Sequence, residues 1–271
     1  MARQVYDSIG LGYRRYRSPD PNIAARIVRA LGDAKSVLNI GAGAGSYEPS
    51  DRTVVAVEPS EIMIRQRVDG SATCVQASAE ALPFPSVSFD GAMAVLTVHH
   101  WARLEEGLRE VRRVVRGKVV IVTWDPECHE DFWLTRDYLP KILEQDRSRF
   151  PKLATLAEQL GPIEVEPLPI PHDCIDGFRG AYWRRPQAYL DAEVRQSISS
   201  FAQLDDAVVT RAVAQLAVDL ESGAWVRRNR EILNWDSADL GYRIVTATCP
   251  GLSQTPQDTG CSESVPSSPR T

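Results

Sequence analysis

Apolar positions in the first half of the chain fall into short continuous runs separated by stripes at helical spacing. Val37, Leu38 and Ile40 make one run, Thr53–Val57 a second and Thr73–Val75 a third, followed by Phe89–Leu96 and Lys118–Trp124. Runs of this kind read as strands buried on both faces, as in a parallel sheet. The stripes between them read as helices. Ile23, Ile27 and Leu31 recur every four residues after Asp20-Pro21, with Asp20 as N-cap, Pro21 at the first helical position and Gly32 as the stop. Pro59-Ser60 opens a helix carrying Ile62, Met63 and Ile64, and Leu104, Leu108, Val111 and Val115 share one face between Arg103 and Arg116. Strand and helix in alternation predict an α/β fold with a doubly wound, mostly parallel sheet. Beyond Asp125 the pattern predicts helices over 126–160, a sixth strand over Ile163–Ile170, an insertion over 171–235 containing a helix at 205–222, and a last strand at Tyr242–Ala247.

The first run ends at Gly41, Gly43 and Gly45, each separated from the next by one alanine. Glycine there permits positive φ and has no Cβ to hold a ligand away from the backbone. The second run ends in Glu58, a carboxylate at the tip of the neighbouring strand, where it can accept hydrogen bonds from both hydroxyls of a ribose. Strand, glycine loop, strand and acid together predict a nucleoside-binding unit. The spacing G-x-G-x-G differs from the dinucleotide pattern G-x-G-x-x-G, and Pro49 leaves room for little more than one helical turn before Thr53. That is a poor phosphate-binding helix. It suits a close backbone approach to an uncharged or zwitterionic ligand.

Four stretches in order now carry a resemblance: Leu38–Gly45, Val55-Ala-Val-Glu-Pro-Ser60, Ala79-Glu-Ala-Leu-Pro-Phe84, and Phe89-Asp90 through His99-His-Trp101. The segment Val37–Trp124 resembles a class I S-adenosylmethionine-dependent methyltransferase of the small-molecule, ubiquinone-biosynthesis-like type. The resemblance implies a Rossmann-like sheet with a helical cap insertion, S-adenosylmethionine as cofactor, and methyl transfer to a small-molecule acceptor by in-line displacement. It implies cofactor contacts at Asn39, Gly41, Ala42, Gly43, Gly45, Glu58, Pro59, Met63, Ser78, Ala79, Glu80 and Val95, with Tyr6 and Arg17 from an N-terminal lid. The chain departs from the family at two of these places. Asn39 stands where relatives carry an acid before the glycines, and Ser78 where they carry an acid that meets the adenine amino group.

Composition narrows the partners. The 271 residues suit one elaborated domain, with 43% hydrophobic and 25% charged residues typical of an ordinary soluble globule. A net charge of −5 argues against a phosphate-binding face, so nucleic acid is not an expected partner. No apolar run approaches a membrane span, and no signal peptide is recognisable, so a cytoplasmic monomer or homodimer is expected. The five cysteines are scattered without a C-x-x-C, which leaves no zinc knuckle or disulfide framework. His172 and Cys174 lack further ligands at suitable spacing, so no metal is expected. The boundaries follow: an arm or lid over 1–19, the cofactor-binding core over 20–125, the rest of the sheet with its cap over 126–248, and a disordered tail over 249–271 rich in Pro, Ser, Thr and Gly.

Several candidates keep two readings. His99 and His100 follow the fourth strand and either act as a base on the acceptor or pack structurally beneath the next helix. Met63 either touches the adenine or fills core. The stretch Pro171–Pro186 either caps the acceptor pocket or forms a turn and a partly exposed helix. The acceptor candidates are Trp124, His129, His172, Tyr182, Trp183 and Arg184, with Arg184 and Arg185 suited to a carboxylate. Two other classes of function stay open: a methyltransferase-like binding module without turnover, and a nicotinamide-dependent oxidoreductase.

Overall fold

The computed structural model describes residues 16–128 and 132–249. Helix α1 (Pro21–Leu31) begins as its cap predicts: the Asp20 carboxylate accepts from the N–H groups of Asn22 and Ile23, and Gly32 ends it at φ 58°. Then follow β1 (Ser36–Ile40), β2 (Thr53–Val57), α2 (Glu61–Arg65), β3 (Thr73–Val75), β4 (Phe89–Val95), α3 (Leu104–Val114) and β5 (Val115–Trp124). The second half adds α4 (Pro140–Arg149), α5 (Leu153–Leu160), β6 (Ile163–Pro167), β7 (Ile170–Pro171), α6 (Ala192–Gln196), α7 (Asp206–Glu221), α8 (Ala224–Arg228), β8 (Ser237–Ala238) and β9 (Tyr242–Thr248).

Seven strands form one sheet in the order β3-β2-β1-β4-β5-β9-β6. β1 to β5 pair in parallel, and β9 runs antiparallel to both its neighbours. Chain order reverses between β1 and β4, and a crevice opens at such a point beyond the carboxyl ends of the strands. The fold is the Rossmann-like one expected. Two apolar clusters cover the faces: one includes Ile27, Met93, Trp124 and Tyr189, the other Leu38, Ile40, Leu108 and Ile121.

Three elements differ from expectation. Residues 41–52 form turns with no helix between β1 and β2, because Pro49 and three positive-φ glycines break the helical pattern. The stretch read as one strand over Ile163–Ile170 divides. β6 stops at Pro167, and Ile170–Pro171 leaves the main sheet to pair with Ser237–Ala238. Pro167 and Pro169 have no N–H to donate to a ladder. Near the start of the 126–160 helical stretch lies a π-helical turn at Leu134–Tyr138.

Residues 171–236 supply most of a cap of short helices and 3₁₀ turns packed into the first cluster. Trp133 and Trp183 are fully buried within it, and their indole N–H groups donate to the carbonyls of Trp183 and Ile170 at 2.7 and 3.0 Å. Among the described residues no helix is long and apolar enough to cross a membrane.

Candidate functional site

The crevice at the ends of β1, β2 and β4 has a volume of about 310 Å³. Its floor is the glycine loop. Gly41, Gly43 and Gly45 all have positive φ, at 65°, 53° and 95°. At Gly41 the absence of a side chain is a packing necessity as well, since a Cβ would come within 2.1 Å of Thr97 Oγ1.

Glu58 stands beside this loop and holds it. One carboxylate oxygen accepts the Gly43 N–H at 2.8 Å and the other the Ser60 N–H at 2.9 Å. A carboxylate accepts at about four lone-pair positions, so the same group can serve backbone donors and sugar hydroxyls.

Beneath the loop lies a buried network that the sequence did not announce. Glu48 and Arg67 form an ion pair at 2.6 Å, with side chains only 9% and 6% exposed. Glu48 also accepts from Asn39 Nδ2 at 3.2 Å and from the Ala72 N–H at 3.0 Å. Arg67 reaches the carbonyls of Ala72 and Gly43. Asn39, at the end of β1, thus donates to a carboxylate supplied nine residues later.

One wall carries Ser78, Ala79 and Glu80, together with Trp101, Ala102 and Arg103. Partial burial pushes the Glu80 carboxyl up, but hydrogen bonds from the Arg103 N–H and other donors outweigh it and leave its pKa lowered. Pro59, Met63 and Val95 complete the cofactor candidates that line the crevice; Gly45 sits behind it, against Arg67.

Arg17 reaches the crevice from the N-terminal arm, and Asp176 of the cap grips it at 2.5 Å. The Tyr47 hydroxyl donates to the same carboxylate at 2.8 Å. Burial first, and the charge of Asp176 second, push the Tyr47 phenol far above its ordinary range, so it is a fixed donor. One buried acid therefore ties together the arm, the glycine loop and the cap.

The two histidines part company. His100 lines the crevice; His99 faces a second, smaller cavity and stacks on Phe150 at 4.0 Å. Burial, then the nearby Arg149 charge, lowers the His100 pKa to about 4, and burial with the charges around it drives His99 well below its usual value. Both are neutral at pH 7. Between the two cavities stands Leu96 at φ 50°, a left-handed backbone that a leucine adopts only when its surroundings impose it.

The acceptor candidates are not gathered here. Trp124 is buried in the core with its indole N–H on the Leu240 carbonyl, and Trp183 is buried likewise. Arg184 donates to the carbonyls of Leu233 and Trp235, and Arg185 to those of Cys174 and Ala181, so neither guanidinium faces the crevice. The Tyr182 ring lies under Arg185, and the His172 backbone N–H donates to the backbone carbonyl of Asp236. Tyr6, His129 and the tail from residue 250 lie outside the described residues. Sequence reasoning missed Tyr47, Glu48, Arg67, Leu96 and Thr97. For Thr97 a signal existed, the apolar fourth strand ending two residues earlier; for Glu48 and Arg67 there was none.

Comparison with known proteins agrees with the fold. The family described as a methyltransferase domain matches residues 38–123. A crystal structure of a candidate methyltransferase from an antibiotic biosynthesis pathway of Anabaena variabilis is 36% identical, with a TM-score of 0.79 over 86% of this chain and 99% of its own. The phosphoethanolamine N-methyltransferase 2 of Haemonchus contortus, solved with S-adenosyl-L-methionine, shares the fold at 18% identity and a TM-score of 0.53, over 86% of this chain and 54% of its own. Among curated proteins, MJ1252 of Methanocaldococcus jannaschii is 26% identical over 51% of this chain and 56% of its own length. The chain spans about half the length of such curated relatives, or less.

Proposed function

Since the chain belongs to the class I S-adenosylmethionine-dependent methyltransferases, we propose that it moves the methyl group of that cofactor to a small-molecule acceptor by in-line displacement. The observation that carries this reading is the meeting of bare backbone and carboxylate at Gly41–Gly43 and Glu58. These residues fit an adenosyl group: Gly41 and Gly43 present backbone without a Cβ, and an acid stands where a ribose needs acceptors.

When bound, the cofactor supplies a methyl carbon made electrophilic by its own positive sulfur. Glu58 would hold the sugar hydroxyls, and the peptide groups of Ser78 and Ala79 would meet the adenine, with Met63 beside them. Arg17 closes the side toward the cap, with Asp176 fixing its orientation. Holding two reactants in line is worth on the order of 7–11 kcal/mol in well-ordered cases, so the chain's main contribution is orientation and exclusion of water. His100 serves as a hydrogen-bonding wall for the acceptor, because an imidazole with a pKa of about 4 is a weak base at pH 7.

Isothermal titration with S-adenosylmethionine, S-adenosylhomocysteine and NADH tests the class. The first two should bind and NADH should not; binding of NADH in their stead overturns the reading. Incorporation of labelled methyl in a screen of small-molecule acceptors then separates an enzyme from a binding module without turnover.

A further inference from the structure

The smaller cavity, about 60 Å³, opens next to the crevice and shares Arg17 and Leu96 with it. No glycine-loop residue lines it; Asp146, Arg149, Phe150, Phe178, Arg179, Ile198, Ser199 and Ser200 from the second half of the chain supply most of its wall. We infer that this annex holds a carboxylate of the methyl acceptor, clamped by the Arg149 guanidinium with Ser200 Oγ and His99 Nδ1. The inference rests on the methyltransferase reading and names the substrate class within it.

The charge balance points to one negative group. Three arginines line the annex: Arg17 is paired with Asp176 and Arg179 with Asp146, while Arg149 pairs with no carboxylate among the described residues. Arg149 instead donates to Gln203 and lies 3.4 Å from His100 Nδ1. One surplus positive charge suits a carboxylate; a phosphate monoester carries nearly two negative charges at neutral pH. A guanidinium also matches a carboxylate in planar, two-pronged geometry.

Two further polar atoms call for a ligand. Ser200 Oγ and His99 Nδ1 are buried without a hydrogen-bond partner. A buried polar group left unpaired costs about 1–3 kcal/mol, so two at one small cavity point to donors awaiting an acceptor. A hydroxyl can donate, and a neutral imidazole can carry its proton on Nδ1. Burial above all, with the Arg149 charge among the lesser causes, lowers both histidine pKa values, so His99 meets an acceptor as a neutral imidazole. Phe150, Phe178 and Ile198 make the rest of the wall apolar. The cavity takes a head group, and the body of the acceptor then extends past Leu96 toward the crevice.

The rival for this site is the methionine carboxylate of the cofactor itself. The test therefore uses the full chain saturated with S-adenosylhomocysteine and titrated with benzoate, benzamide, octanoate and octanamide. At least one acid should bind ~10-fold or more tighter than its amide, and Arg149→Gln should remove that preference, as expected for loss of a charge-assisted pair. Arg149→Lys should restore part of it, and Ser200→Ala should weaken the acid more than the amide. Affinity for S-adenosylhomocysteine should stay within about twofold in each variant, well under the ~1.4 kcal/mol of a tenfold change. Equal binding of acid and amide, no binding of either acid, or an unchanged preference in both Arg149→Gln and Ser200→Ala overturns the inference. Loss of S-adenosylhomocysteine affinity in Arg149→Gln, with 5′-methylthioadenosine still binding, assigns the annex to the cofactor and overturns it too. Failure of the wild-type chain to bind S-adenosylhomocysteine would instead sink the underlying methyltransferase reading.

Discussion

Replacing Glu58 probes the site most directly, because the loop contact it makes and the sugar contact proposed for it separate experimentally. Its carboxylate accepts the N–H groups of Gly43 and Ser60 at 2.8 and 2.9 Å. In Glu58→Ala both donors lose that partner in a largely buried setting, which should cost about 1–3 kcal/mol of stability. The ribose loses a comparable amount. Two hydroxyls donating to a carboxylate are worth about 1.5 kcal/mol each at the low end of charged hydrogen bonds, or about 3 kcal/mol together. That is roughly a hundredfold in the dissociation constant of S-adenosylhomocysteine. Glu58→Gln keeps one oxygen acceptor and the shape, and should lose roughly tenfold. A double cycle isolates the sugar contact. With Glu58 present, 2′-deoxyadenosine should bind distinctly more weakly than adenosine; in Glu58→Ala the two should bind alike. Titration calorimetry reads the affinities and urea unfolding the stability. If folded Glu58→Ala keeps its S-adenosylhomocysteine affinity within twofold, or the 2′-deoxy penalty survives, the ribose assignment is wrong and Glu58 merely braces the loop.

Two other outcomes follow from buried charge. Glu48→Leu leaves Arg67 buried without its acid, a change that should cost about 3–5 kcal/mol, and Glu48→Leu/Arg67→Met should recover most of it in urea unfolding; a single-mutant loss under about 1 kcal/mol would show that the pair does not support the loop. The pH dependence of stability has a definite sign at His100: the unfolded imidazole takes its proton near 6.5 and the folded one only near 4, so the unfolded chain binds more protons between them and stability falls as pH drops from 6.5 to 4. The shift is worth up to roughly 3 kcal/mol, and His100→Asn should flatten the slope in denaturation series across that range; an unchanged slope would remove His100 from the account.

The core was legible because parallel strands buried on both faces are continuous apolar runs, and β1, β2, β4 and β5 are little else. Helix α1 announced itself through Asp20 and Pro21, and the crevice through three glycines and Glu58. What stayed hidden depends on distant partners. Glu48 and Arg67 lie in polar stretches that read as solvated loop, and only the fold brings their side chains into contact beneath Gly43. Tyr47 and Asp176 are 129 residues apart, yet they share the hydrogen bond that ties the cap to the loop. Arg184 and Arg185 show the converse. Their sequence gives charge and spacing, which suggest an anion, whereas backbone carbonyls of the cap already take their donors.

The loop's own donors decide between the cofactor classes more sharply than its glycine spacing does. A phosphate-binding turn works by aiming backbone N–H groups at the ligand from the start of a helix. In this chain the Gly41 and Ala42 N–H groups both donate to the Val57 carbonyl, the Gly43 N–H to Glu58, and the Gly45 N–H to the Ala42 carbonyl. Four loop donors are thus turned inward, and turns rather than a helix follow them. A pyrophosphate entering here would meet the Glu58 carboxylate and few donors, an electrostatic mismatch on both counts. An adenosyl group asks for the opposite: acceptors for a sugar, a flat approach for a ring, and no concentrated negative charge to satisfy. Asn39 fits the same logic. Its amide donates to Glu48, which Arg67 neutralises, so a carboxylate lies beneath the loop without adding net charge to the crevice floor.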